Sequence, residues 1–180
     1  MPVMAEAPDR TWLIGLMGSG KSTVGVGVAE EIGASYTDND RAVGVLAGRS
    51  TVDLASEGGS VLHDWESRYV AGLVRLDPPV VAGIPASIAD RPDDLALLAG
   101  HGLLVYLRVD PATLATRVAR DPPRPWLGSD PTILLAAMFA ARDPALAAVA
   151  SVVIDATAPP PAVVAAVLAA RAAHLGADAG

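Results

Sequence analysis

The chain is 180 residues long, 52% hydrophobic and 18% charged, with a formal net charge of −7. That length fits about one domain with a real core, and the acidic balance excludes a general nucleic-acid binder, whose phosphate partner demands a basic surface. The sequence holds no cysteine, which excludes disulfides and thiolate metal sites and makes the cytoplasm the expected compartment.

Residues 1–10 read as a flexible leader; a basic start followed by an apolar stretch is missing, so no signal peptide is expected. A short apolar strand over 11–14 and a helix over 21–32 enclose a glycine-rich loop in which Gly15, Gly20, Lys21 and Ser22 meet the pattern G-x-x-x-x-G-K-[ST]. Glycines let the backbone curl so that successive N–H groups point at phosphate oxygens, and the helix start adds its positive dipole end. Lys21 then reaches the β- and γ-phosphates of a nucleoside triphosphate, and the Ser22 hydroxyl ligates Mg²⁺. The chain holds twelve Arg and a single Lys, Lys21. A compact ammonium is kept at the one place where a broad guanidinium will not serve.

Gly33 stops the first helix, and 34–37 is a short strand ending at Asp38 and Asp40, which a continuing strand would place on one side. Helices are expected over 41–47, over 51–56 behind a Ser50 cap, and over 60–76. A strand over 80–83, a short helix over 93–99 and a fully apolar strand over 103–109 follow; the last belongs at the centre of a parallel sheet. Asp110 and Pro111 suit the cap and first turn of a helix over 112–120. Residues 121–128 are too rich in proline for regular structure. With Arg117, Arg120 and Arg124 around it, the segment from about 117 to 130 reads as a lid that closes on phosphates. Helices over 131–142 and 161–175 flank a last strand over 152–154.

Short apolar strands alternating with helices give an α/β fold around a largely parallel sheet. Its ligands gather at the carboxyl ends of the strands, where the loop at 15–22, Asp38, Asp40 and Gly83 fall. No run is long and apolar enough to suggest a membrane span. Trp65 and Tyr69, at helical spacing, read as packing residues. His63 is expected to hydrogen-bond Glu66 one turn on, His101 reads as a loop residue, and Trp126 as a lid residue that shields nucleotide.

The order Gly-x-x-Gly-x-Gly-Lys-Ser-Thr ending at Thr23, Asp-x-Asp at 38–40, Gly-Arg-Ser at 48–50 and Arg-Pro-x-Leu at 124–127 resembles the shikimate kinase family, from about Leu13 to the final helix. The resemblance implies a P-loop NTPase of the nucleoside-monophosphate-kinase-like fold, a central parallel five-stranded sheet flanked by helices. It implies one kinase domain over 1–180, an acceptor-binding region at about 34–78, and transfer of the γ-phosphoryl of Mg·ATP to the 3-hydroxyl of shikimate. By this resemblance Gly18, Ser19, Gly20, Lys21, Ser22 and Thr23 would hold ATP, with Arg117 against the adenine and Arg124 as the lid arginine. Ser22 and Asp38 would serve Mg²⁺; Asp40 would bind the acceptor hydroxyls and take up the proton. His63, Gly83 and Arg142 would complete the acceptor site, and Lys21, Asp40 and Arg124 would be catalytic. The expected partner is a small polyol acceptor, with no nucleic acid or membrane, and the expected state is a monomer.

Two departures fall in the acceptor half. His63 stands where the family has an arginine that grips the acceptor carboxylate, and a histidine cannot make that two-pronged contact. Gly83, Ile84 and Pro85 replace three glycines, adding bulk at Ile84 and removing an N–H at Pro85. A sibling kinase for another polyol, cyclitol or sugar acid is therefore an alternative. So is a catalytically silent ATP-binding protein. A nucleotide kinase would want a base-reading acceptor pocket, and no clear one is visible.

Overall fold

The computed structural model describes residues 9–120 and 131–177. Arg124, Trp126 and the lid segment beyond Arg120 lie outside the described residues.

Five strands and eight helices alternate along the described chain: β1 (Arg10–Ile14), α1 (Lys21–Glu31), β2 (Tyr36–Thr37), α2 (Asn39–Ala47), α3 (Thr51–Ser56), α4 (Gly59–Leu73), β3 (Val80–Gly83), α5 (Pro92–Ala99), β4 (Leu103–Arg108), α6 (Pro111–Val118), α7 (Pro131–Val149), β5 (Val152–Asp155) and α8 (Pro160–Ala177), with a 3-10 turn at Ala86–Asp90. The strands pair in the order β2-β3-β1-β4-β5, every neighbour parallel. The chain moves to one side of β1 for β2 and β3 and to the other for β4 and β5. The loop after β1 therefore opens at the switch point, where a crevice forms in sheets of this kind.

Helices cover both faces, which is why β4 is apolar from Leu103 to Leu107 and β1 is buried from Thr11 to Ile14 rather than at alternate positions. Leu13, Val105 and Leu107 pack with Val28, Leu135, Val163 and Val167 on one face. Trp12, Ile14, Leu104 and Tyr106 pack with Val70, Leu98 and Leu146 on the other. The one polar atom of the buried Trp12 is satisfied: its Nε1 donates to Leu98 O at 3.0 Å.

Several boundaries differ from the sequence reading. Arg10, expected in the leader, opens β1, and its Nη2 donates to Leu76 O at 2.7 Å. β2 is only two residues long because Ala34 still closes the end of α1, its N–H donating to Ala29 O at 2.8 Å. α7 runs past residue 142, through Pro144, to Val149. An internal proline costs a helix a hydrogen bond and about 3 kcal/mol, and an anchor beside it offsets that cost. Asp143 is buried and accepts from Arg108 Nε at 2.7 Å, Arg108 Nη2 at 2.8 Å and the Tyr106 hydroxyl at 3.0 Å. By length and composition α7 and α8 are each apolar enough to cross a membrane, contrary to the sequence reading. Their alanine content accounts for this, and their inner residues Leu135, Leu146, Val163 and Val167 pack onto the sheet.

Candidate active site

The loop between β1 and α1 has the backbone that its glycines predict. Gly18 and Gly20 take φ of 80° and 92°, left-handed values that side-chain-bearing residues rarely adopt. A Cβ on Gly18 would also lie 2.9 Å from Val118 Cγ2, so the loop is pressed against α6. Lys21 Nζ donates to Gly15 O at 2.8 Å and Leu16 O at 3.2 Å, which places the ammonium across the mouth of the loop. Arg117, on α6, braces the other side: it donates to Gly18 O at 3.3 Å and Ala156 O at 2.8 Å.

In the first turn of α1, Ser22 Oγ donates to Asp38 Oδ2 at 2.7 Å. Asp38 Oδ1 accepts the Arg41 N–H at 3.2 Å, so the same side chain is the N-cap of α2. This cap starts the helix at once, and Asp40 sits in its first turn rather than on an extended strand. Both aspartates nevertheless line one cleft with the loop. The Asp40 carboxylate is steadied by Asn39, whose Nδ2 donates to Oδ1 at 3.0 Å.

That cleft has a volume of ≈ 710 Å³. Its lining includes Gly18, Gly20, Lys21, Ser22, Thr23 and Arg117 together with Asp38, Asp40, His63 and Arg142. Ten of the expected site residues thus meet in one cavity. Ser19, within the loop, is buried and outside this lining, with its hydroxyl unpartnered. Gly83 is not part of the lining. It forms a slot with Gly25 for the Tyr36 ring: a Cβ on either glycine would lie 2.2 Å from a Tyr36 atom. Its carbonyl accepts the Tyr69 hydroxyl at 2.9 Å. Ile84, expected to crowd the ligand, is fully buried in the core instead, its N–H donating to Leu13 O at 2.9 Å. Pro85 alone of that departure reaches the cleft.

The expected His63–Glu66 hydrogen bond gives way to a different one. Ser87, in the 3-10 turn after β3, donates to Glu66 Oε2 at 2.5 Å. Burial pushes the Glu66 carboxyl above its ordinary value, against the opposing pull of Ser87, His63 and Arg91. Sequence reasoning missed Ser87, although its place just past the carboxyl end of β3 was a usable signal. The His63 carbonyl accepts a hydrogen bond from Arg91, and Arg142 pairs with Asp90 at 2.7 Å. Burial likewise pushes the Tyr36 hydroxyl up to about 12, with Asp38 and Asp40 adding to the shift. Trp65 and Tyr69 pack as expected, Arg68 lying 4.3 Å over the Trp65 ring.

Among the described residues no group of three His, Asp or Glu side chains would hold a metal unaided. The Ser22 hydroxyl and the Asp38 carboxylate instead supply two hard oxygen donors, a set suited to a magnesium ion that keeps its remaining ligands as water and phosphate.

The family model described as "Shikimate kinase" matches residues 17–172. A shikimate kinase of Burkholderia thailandensis is 38% identical over 133 residues, covering 73% of this chain and 72% of that one. One from Chromobacterium violaceum is 31% identical over 159 residues, covering 87% and 86%. Among solved structures, a shikimate kinase from Acinetobacter baumannii in complex with shikimate superposes with a TM-score of 0.83 at 25% identity, covering 91% of this chain and 92% of that one. The parallel sheet, the loop at its switch point and these relatives lead to one conclusion: the chain belongs to the shikimate kinase family, P-loop phosphotransferases that act on a hydroxyl acceptor.

Proposed function

We propose that this chain transfers the γ-phosphoryl group of ATP to a hydroxyl of shikimate. The observation that carries the reading is the shared cleft, in which Lys21 and the loop stand at one side and Asp40 opens onto the same volume. The loop amides from Gly18 to Thr23 hold the phosphates, with Lys21 meeting the β- and γ-phosphate oxygens. Arg117 borders the nucleotide, and Arg124 is assigned to the lid by motif alone. Magnesium bound with ATP supplies charge neutralisation on the phosphates, and Ser22 and Asp38 would hold it.

Asp40 orients the acceptor hydroxyl and receives its proton as the oxygen bonds to Pγ and the bond from Pγ to the β–γ bridging oxygen breaks, releasing ADP. Little covalent chemistry is asked of the protein; positioning and charge stabilisation do the work. Arg142 and His63 face the acceptor, and Arg142 is the group suited to a carboxylate. Two core layers on one continuous sheet support reading the chain as a single kinase domain.

A sibling activity on another polyol, cyclitol or sugar acid is favoured by one feature, a histidine at 63 among the acceptor-facing residues. Release of ADP from ATP and Mg²⁺, screened against shikimate, quinate, cyclitols, gluconate and nucleoside monophosphates, tests both readings. Turnover with shikimate far above the others is the expected result. Turnover with another acceptor alone would select the sibling activity, and none with any acceptor would leave a silent ATP binder.

A further inference from the structure

In the proposed reading the acceptor lies among Asp40, Glu66, His63 and Arg142, all of which line the cleft. Arg91 stands behind His63, already engaged by the His63 carbonyl and by Asp94 at 3.3 Å. Arg142 is therefore the permanently charged cation of this set, and an anionic acceptor needs it.

Arg142 is not open. Its Nη2 lies 2.7 Å from Asp90 Oδ2, at the last residue of the 3-10 turn that follows β3. The two partners differ in setting: the Arg142 side chain is 18% exposed and that of Asp90 52%. The arginine is fixed from behind, because its neighbour Asp143 ties α7 to Tyr106 and Arg108. The carboxylate is the partner that can leave for water.

We infer that Asp90 is a specificity-determining residue that competes with the acceptor's carboxylate for Arg142. This rests on the proposed reading in which the acceptor is an acid. An incoming carboxylate either displaces Asp90 or settles beside a like charge, and both lower its affinity. A neutral polyol meets no such opposition. The contest is modest in size, because an ion pair with one exposed member contributes little.

The test is steady-state kinetics of the parent, Asp90→Asn and Asp90→Glu with shikimate, the KM for ATP serving as the internal reference. Asp90→Asn keeps the shape of the side chain and removes its charge. It should lower the shikimate KM relative to the ATP KM by about two- to fivefold. Asp90→Glu, which restores the competing charge, should stay near the parent. A shikimate KM that is unchanged or raised in Asp90→Asn, with turnover retained, would overturn the inference and leave the proposed function standing. A parent that binds ATP but forms no ADP with shikimate would overturn that function instead, and the inference with it.

Discussion

Ser22 Oγ and Asp38 Oδ2 lie 2.7 Å apart, and this one hydrogen bond joins the first turn of α1 to the cap of α2. Asp38 therefore has two jobs that different substitutions separate. Asp38→Ala removes the cap and should lower stability by about 1 kcal/mol. Asp38→Asn keeps an acceptor oxygen for the Arg41 N–H and should melt close to the parent. Its lost charge should raise the Mg²⁺ needed for half-maximal ADP formation by about tenfold or more. Thermal melts and Mg²⁺ titrations of the two variants check the division. Equal Mg²⁺ requirements in Asp38→Asn and the parent would remove Asp38 from the magnesium site.

Tyr36 and Gly83 form a packing pair. A Cβ at residue 83 would stand 2.2 Å from the Tyr36 hydroxyl oxygen and 3.3 Å from Cζ. Gly83→Ala should therefore destabilise the protein by about 1–3 kcal/mol, the usual range for overpacking. Tyr36→Phe removes the atom in the way, so the double variant should regain part of the loss, a coupling of about 1 kcal/mol. Urea unfolding of the four proteins measures it. Strict additivity would show that the slot adjusts by another route.

Glu66 makes a prediction about pH. Burial raises its carboxyl above the ordinary value of 4.5, Asp40 adding to the shift and Ser87, His63 and Arg91 opposing it. The folded chain then holds a proton at pH values where the unfolded chain has released it. Stability from this group is greatest below the ordinary value and declines as pH rises through the raised one. Glu66→Gln keeps an acceptor for the Ser87 hydroxyl and removes the decline. The variant should lose that part of the pH slope in unfolding free energy and exceed the parent at neutral pH. A slope identical to the parent's would assign it to other carboxylates.

The parts of this protein that were legible in its sequence are those fixed by local rules. The loop from Gly15 to Ser22 was readable because phosphate binding needs those residues at that spacing. The apolar stretch at β4 was readable because a strand covered on both faces has no polar alternation. Asp38 and Asp40 reached the same cavity, but through a helix cap, not through strand periodicity.

What was not legible depends on distant neighbours. The helix expected to stop at residue 142 continues through Pro144, because Asp143 is anchored by Tyr106 and Arg108, more than thirty positions earlier. Ile84 reads as an obstruction until the backbone turns its side chain into the core. Ser87 and Asp90 carry no motif, and their contacts with Glu66 and Arg142 exist only once β3, α4 and α7 are assembled.

The central claim is that Asp40 serves phosphoryl transfer in a cleft whose phosphate loop binds ATP independently of it. Calorimetric ATP binding and shikimate-dependent ADP release, measured together on the parent, Asp40→Asn and Lys21→Ala, test it most directly. The account predicts that Asp40→Asn loses turnover by about a hundredfold or more while binding ATP like the parent, and that Lys21→Ala loses turnover with weakened ATP binding. Parent-like turnover in Asp40→Asn, or loss of ATP binding along with its turnover, would contradict it.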